Sequence, residues 1–160
     1  MKIISRENVY SYHSKYNKPG IVVKPGEEFI AETELCSGGW LKTINDKYHP
    51  EKEQGTNPTV VVDIEGAKPG DMAAVRILNI EVDELGYTGF NSKTNELSQK
   101  IRSNDWGLNT KTLKIKNDFI LWNSKIHIPI APMIGTLGMA PAQKKILNSY
   151  GGIHGLLYLL

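Results

Sequence analysis

The sequence predicts a mainly β fold, sandwich- or barrel-like, with antiparallel sheets and few short helices. Three observations carry that expectation: the β-rich apolar runs are short, Pro-Gly, Gly-Gly and Asn-Pro breaks punctuate them, and helical periodicity is scarce. A chain of 160 residues suits one domain with a real apolar core. Its composition, 40% hydrophobic and 22% charged, is globular and far from that of a disordered segment.

The elements follow in order. Ile21-Val22-Val23 runs into a turn at Lys24-Pro25-Gly26-Glu27-Glu28, after which residues 29–35 alternate well enough for a half-buried strand. The design recurs: residues 59–64 are an extended β-branched run, Lys68-Pro69-Gly70-Asp71 is a turn, and residues 73–82 alternate with Val75 and Ile77 turned inward. Proline presets φ for such a turn and glycine accepts the positive φ that follows, so both Pro-Gly sites are expected on the surface as structural turns. Asp71 is expected to cap its own turn.

Residues 88–112 are polar and predict an insertion or long loop, with Trp106-Gly107 as a packing anchor. Strands resume at residues 113–116 and 119–122, joined by a tight hairpin at Asn117-Asp118. Two prolines in residues 125–135 place that stretch at a sheet edge or under a site, not in a central strand. Residues 132–141 are expected to be extended and ordered, with Gly135 and Gly138 permitting close backbone packing. Residues 141–148 predict a short helix with Pro141 in its first turn, ending at Gly151-Gly152. The apolar residues 156–160 call for a neighbour to cover them.

Nineteen basic and 17 acidic residues are scattered along the chain, giving a net charge of +2, so no electrostatic footprint for nucleic acid stands out. Lys144-Lys145 reads as solvated surface. The single cysteine, Cys36, excludes an internal disulfide and fits a reducing cytoplasm. It is expected to be a small buried hydrophobe, since no histidine stands beside it to lower its pKa. The N-terminus lacks the apolar run of a secretory signal, and no stretch approaches the roughly 20 apolar residues of a membrane span, so a soluble cytoplasmic protein is expected. Trp40, Trp106 and Trp122 show no regular spacing and read as core or anchor residues, not as a carbohydrate-binding face.

Two segments go beyond generic β structure. The first is Asn57-Pro58, then Val62-Asp63-Ile64-Glu65-Gly66-Ala67-Lys68-Pro69-Gly70-Asp71 and the run through Val75-Arg76-Ile77. The second is Pro132-Met133-Ile134-Gly135-Thr136-Leu137-Gly138-Met139-Ala140-Pro141. Together they resemble the acetamidase/formamidase family. Softer matches are His13 upstream of Pro19, and Pro25-Gly26 followed by Glu32-Thr33, so the resemblance covers residues 1–155 and leaves 156–160 as a divergent apolar tail.

The resemblance implies hydrolysis of short linear amides such as formamide and acetamide to acid and ammonia, a homo-oligomer, and dependence on a divalent metal, zinc first. It also implies a longer protein. Gly151-Gly152-Ile153-His154-Gly155 begins a glycine-rich family stretch whose Asn-Met-Asp continuation and acidic second half do not follow. A truncated chain, inactive alone or served by a complementing C-terminal half, is therefore expected. The alternative is a catalytically inactive β domain that acts as an assembly module.

By family position, His13 and Glu34 are the candidate catalytic residues and His154 a candidate metal ligand. His127 is a second candidate ligand, although alternation with Ile126 and Ile128 also suits a solvent-facing histidine. Glu32, Asp63, Glu65 and Asp71 are further carboxylates, and no HExxH-like spacing groups any of these residues in sequence.

Overall fold

Asn117 and Asp118 both adopt positive φ, 51° and 62°, the backbone that a two-residue hairpin needs to match the twist of its strands. They join β7 (Leu108–Lys116) to β8 (Phe119–Leu121) in the computed structural model, which describes residues 1–52, 57–91, 108–142 and 144–148. The architecture is mainly β. Ten strands, one 3-10 turn at Pro50–Lys52 and no α-helix are found among the described residues.

The chain divides into two units: Met1–Gly38, Gln54–Ile77 and Ile134–Leu160 form the first, Gly39–Glu53 and Leu78–Met133 the second. The second unit holds a four-stranded antiparallel sheet in the order β6-β7-β8-β9, with β6 at Leu85–Asn91 and β9 at His127–Pro129. Ile115, Ile120 and Ile128 stand opposite one another across β7, β8 and β9 and so share a face. Ile115 reaches over Gly86, where an added Cβ would lie 3.2 Å from its Cδ1.

Buried Trp40 stacks edge-on against Tyr48 and Tyr87, with ring centroids 5.9 and 5.0 Å away. Two threonines of β7 tie the loop before the sheet in place. Thr110 Oγ1 accepts from the Tyr48 N–H at 3.0 Å, and Thr112 Oγ1 donates to the Asp46 carbonyl at 2.6 Å. At the outer side Lys111 Nζ sits 4.0 Å from the Trp122 ring centroid.

The first unit is built of two-stranded pairs around buried Ile4 and Val23. β1 (Lys2–Ile4) pairs in parallel with β4 (Phe29–Ala31), β3 (Ile21–Val23) in parallel with β5 (Val62–Ile64), and β2 (Tyr12–His13) antiparallel with β10 (Ile146–Leu147). Gly20 makes the close approach possible: a Cβ there would fall 2.6 Å from Ile4 Cδ1.

Both Pro-Gly turns are exposed, with Gly26 at φ 82° and Gly70 at φ 98°. Asp71 caps its turn as expected, Oδ2 accepting from the Lys68 N–H at 2.8 Å. β9 is an edge strand, in keeping with Pro129 at its end and Pro132 just beyond it.

Other expectations fail. The sheets are not all antiparallel: the strands on either side of Pro25-Gly26 each find a parallel partner in the first unit. Residues 73–82 form no strand, and Val75 and Ile77 are 54% and 45% exposed instead of buried, because no strand among the described residues lies alongside them. Residues 88–91 and 108–112, read as loop, extend β6 and β7, since pairing across the sheet overrides their polar composition. Trp106-Gly107 lies outside the described residues. The helix expected over 141–148 is replaced by β10, its pairing with β2 outweighing local propensity. Gly135 has open space around it rather than close packing. No helix among the described residues is long and apolar enough to cross a membrane.

Glycine tolerates positive φ without the Cβ penalty that Asp118 carries. Asp118→Gly is therefore expected to stabilise the chain by about 0.5 kcal/mol after the added freedom of the unfolded state is subtracted, as measured by urea denaturation. The Glu27 carboxyl is held below its ordinary value of 4.5 by the Lys24 backbone N–H and then by the Lys2 ammonium, 2.9 Å away. A depressed carboxyl contributes stability at neutral pH that is lost as pH falls through its folded value. Carbon-detected NMR titration is expected to place Glu27 below 4.5, and Glu27→Gln is expected to reduce the acid-side slope of stability.

Candidate functional site

Asn148 is fully buried in the first unit and gathers three separate stretches of chain. Its backbone N–H donates to the Ser11 carbonyl at 3.0 Å. Its side-chain Nδ2 lies 2.7 Å from the carbonyls of both Tyr10 and Asn57, and 3.1 Å from Thr59 Oγ1. Two carbonyl acceptors fix the orientation of the amide. Tyr10 and Thr59 also exchange a pair of backbone hydrogen bonds, each 2.9 Å long.

This cluster positions His13. His13 stands opposite Ile146 and Tyr12 opposite Leu147 where β2 meets β10, and its Nε2 is shut off from solvent. The same strand is pinned from below by Ser14, whose Oγ donates to the Lys144 carbonyl at 2.6 Å, and by Asn17, whose Nδ2 donates to the Tyr12 carbonyl at 2.7 Å. Asn57, at φ 51°, turns the chain into buried Pro58, and its N–H donates to the Cys36 carbonyl at 2.7 Å. Cys36 is exposed, not the buried hydrophobe expected, because its turn closes through the Gly38 N–H and Leu35 carbonyl and leaves the thiol outward.

The other candidates are placed less centrally. Glu34 is half-buried, and its Oε1 accepts from the Leu35 N–H at 2.8 Å. His127 lies exposed on edge strand β9 of the second unit. Glu32 Oε2 accepts from the Arg6 N–H at 3.1 Å, and Asp63 and Glu65 are exposed. His154 is outside the described residues. His49, a fourth histidine not singled out from the sequence, has its Nδ1 3.7 Å from Glu51 Oε2 in an exposed pair. Among the described residues no three His, Cys, Asp or Glu side chains gather in a group able to hold a metal ion.

Residues of the Asn-Pro motif thus meet the histidine strand and the stretch that follows the second motif. A family model described as the Acetamidase/Formamidase family matches residues 7–151. The chain belongs to that family. Among solved structures it is similar to a recombinant predicted acetamidase/formamidase from Thermoanaerobacter tengcongensis, with 32% identity, a TM-score of 0.81, and coverage of 96% of this chain and 50% of that one. An acetamidase from Bacillus halodurans is 28% identical, with a TM-score of 0.79 and coverage of 96% and 51%. An acetamidase from Yersinia enterocolitica, 19% identical with a TM-score of 0.67 and coverage of 96% and 50%, shares the fold. The chain spans about half the length of these structures. Comparison with curated proteins returned no match.

Sequence reasoning missed Asn148, which its position near a predicted helix end disguised. Removing its side chain takes a donor from the Asn57 carbonyl and one of two donors from the Tyr10 carbonyl, which keeps the Thr59 N–H, so Asn148→Ala is expected to cost about 1–3 kcal/mol in urea denaturation. Asn148→Asp, which turns a carboxylate on the same carbonyls, is expected to cost at least as much.

Proposed function

We propose that this chain supplies one half of a catalyst that hydrolyses short linear amides, of the formamide and acetamide type, to carboxylic acid and ammonia. The family match over residues 7–151 carries the reading. In support, two relatives named for acetamidase or formamidase are 32% and 28% identical to it, and it accounts for 50% and 51% of their lengths.

Amide hydrolysis needs an activated nucleophile and a group that stabilises the oxyanion developing on the carbonyl. A divalent metal, zinc first, supplies both when bound by lowering the pKa of a water and polarising the carbonyl. The described residues do not fit such an ion by themselves, because no three of their ligand-type side chains come together. On this reading His13 and Glu34 are the catalytic contribution of this chain, and His154 and His127 its contribution to a ligand set completed by a second half. The packing of His13 against β10 supports its role, since a positioned imidazole is what proton transfer requires. The working assembly is a homo-oligomer or a pair with a complementing half, in the cytoplasm.

A second reading, a catalytically inactive β domain retained for assembly, draws on the exposed apolar side chains of Met72, Val75, Ile77, Leu78 and Val82.

Ammonia release from formamide and acetamide by the chain alone tests whether it is half of a catalyst or a whole one. The purified chain is expected to show negligible turnover with or without added zinc. Turnover of about one per second or faster, lost in His154→Ala, would contradict the half-catalyst reading.

A further inference from the structure

Residues 72–82, Met72-Ala73-Ala74-Val75-Arg76-Ile77-Leu78-Asn79-Ile80-Glu81-Val82, have the sequence of a strand and pair with no strand among the described residues. Ala73, Val75 and Ile77 fall on one side of an extended chain, and Leu78, Ile80 and Val82 on the other. Both sides thus carry apolar residues, broken by Arg76 on one and by Asn79 and Glu81 on the other, the pattern of a strand with apolar cover on each face near its middle. None of these residues makes a backbone–backbone hydrogen bond among the described residues. Met72 is 98% and Leu78 62% exposed, and Val82 is exposed as well. A soluble protein rarely leaves a contiguous apolar run with open N–H and C=O groups, because it is a template for any available strand.

We infer that residues 72–82 are an interaction strand, completed by a strand from the half of the family fold that this chain does not match. The inference rests on the half-catalyst reading and gives it a surface. The occupant follows from coverage: 96% of this chain is accommodated within 50% and 51% of two relatives, whose remaining halves are polypeptides of similar size. A second copy fits worse. Antiparallel self-pairing about Ile77 sets Val75 against Asn79 and Arg76 against Leu78, polar against apolar in each row. Strand addition supplies the missing backbone partners, and an apolar donor strand supplies the cover.

The test mixes the full chain with a separately produced polypeptide comprising the unmatched half of the Thermoanaerobacter tengcongensis relative. Hydrogen exchange followed by mass spectrometry is expected to show fast exchange over residues 72–82 in the chain alone and slowing by about 100-fold in the mixture. Ile77→Pro removes an N–H that makes no backbone–backbone hydrogen bond among the described residues. It is expected to weaken association by about tenfold or more while leaving β6–β9 protection unchanged. Association without slowing over 72–82 overturns the inference, as does no association. Slowing in the chain alone that rises with its concentration overturns the occupant in favour of a second copy. Ammonia release, recorded in the same mixtures, is independent: protection without ammonia sinks the amidase reading and leaves the strand, and ammonia without protection does the reverse.

Discussion

The first unit depends on the side chain of one fully buried asparagine. Asn148 has two amide hydrogens to offer and places them between the carbonyls of Tyr10 and Asn57, both 2.7 Å away. A buried carbonyl without a partner carries the cost of its desolvation, and because the Tyr10 carbonyl also accepts from the Thr59 N–H, the Asn57 carbonyl draws most on this amide. The strands that meet there are only two residues long each, too short to hold their register through ladder bonds alone. Asn148 directly follows β10, which holds His13 in register, and it bonds the carbonyl just ahead of Pro58.

Features of the fold written in local chemistry were legible in the sequence. Pro25-Gly26 and Pro69-Gly70 dictate turns whatever surrounds them, and Asn117-Asp118 accepts the positive φ of a tight hairpin. Features that need a partner were not. Alternation in residues 73–82 says that a strand could form there, but a strand forms only where another lies alongside. The short helix read into residues 141–148 failed for the converse reason, since β2 was available and sheet pairing won over propensity. Two of the pairs are parallel, which no hairpin turn could have announced.

The candidate site was legible in motifs and illegible in geometry. Asn57-Pro58 and His13 were singled out by family position, and the structure brings their stretches together through Tyr10 and Thr59. Asn148 carried no signal: an asparagine just ahead of Ser149, Tyr150 and two glycines reads as the end of an element. Glu34 and His127 belong to neither the Asn148 cluster nor any three-ligand group among the described residues. Their roles depend on what a second half would bring, and an incomplete ligand shell without its supporting contacts holds a metal weakly and out of productive geometry.

That dependence makes zinc stoichiometry the most direct measurement of the central claim, that this chain carries only part of a catalytic site. Titration of the purified chain against a chromophoric zinc chelator is expected to give no tight, stoichiometric binding. One zinc per chain, held against the chelator and released in His13→Ala or His154→Ala, would contradict the account by showing that this half closes a metal site on its own.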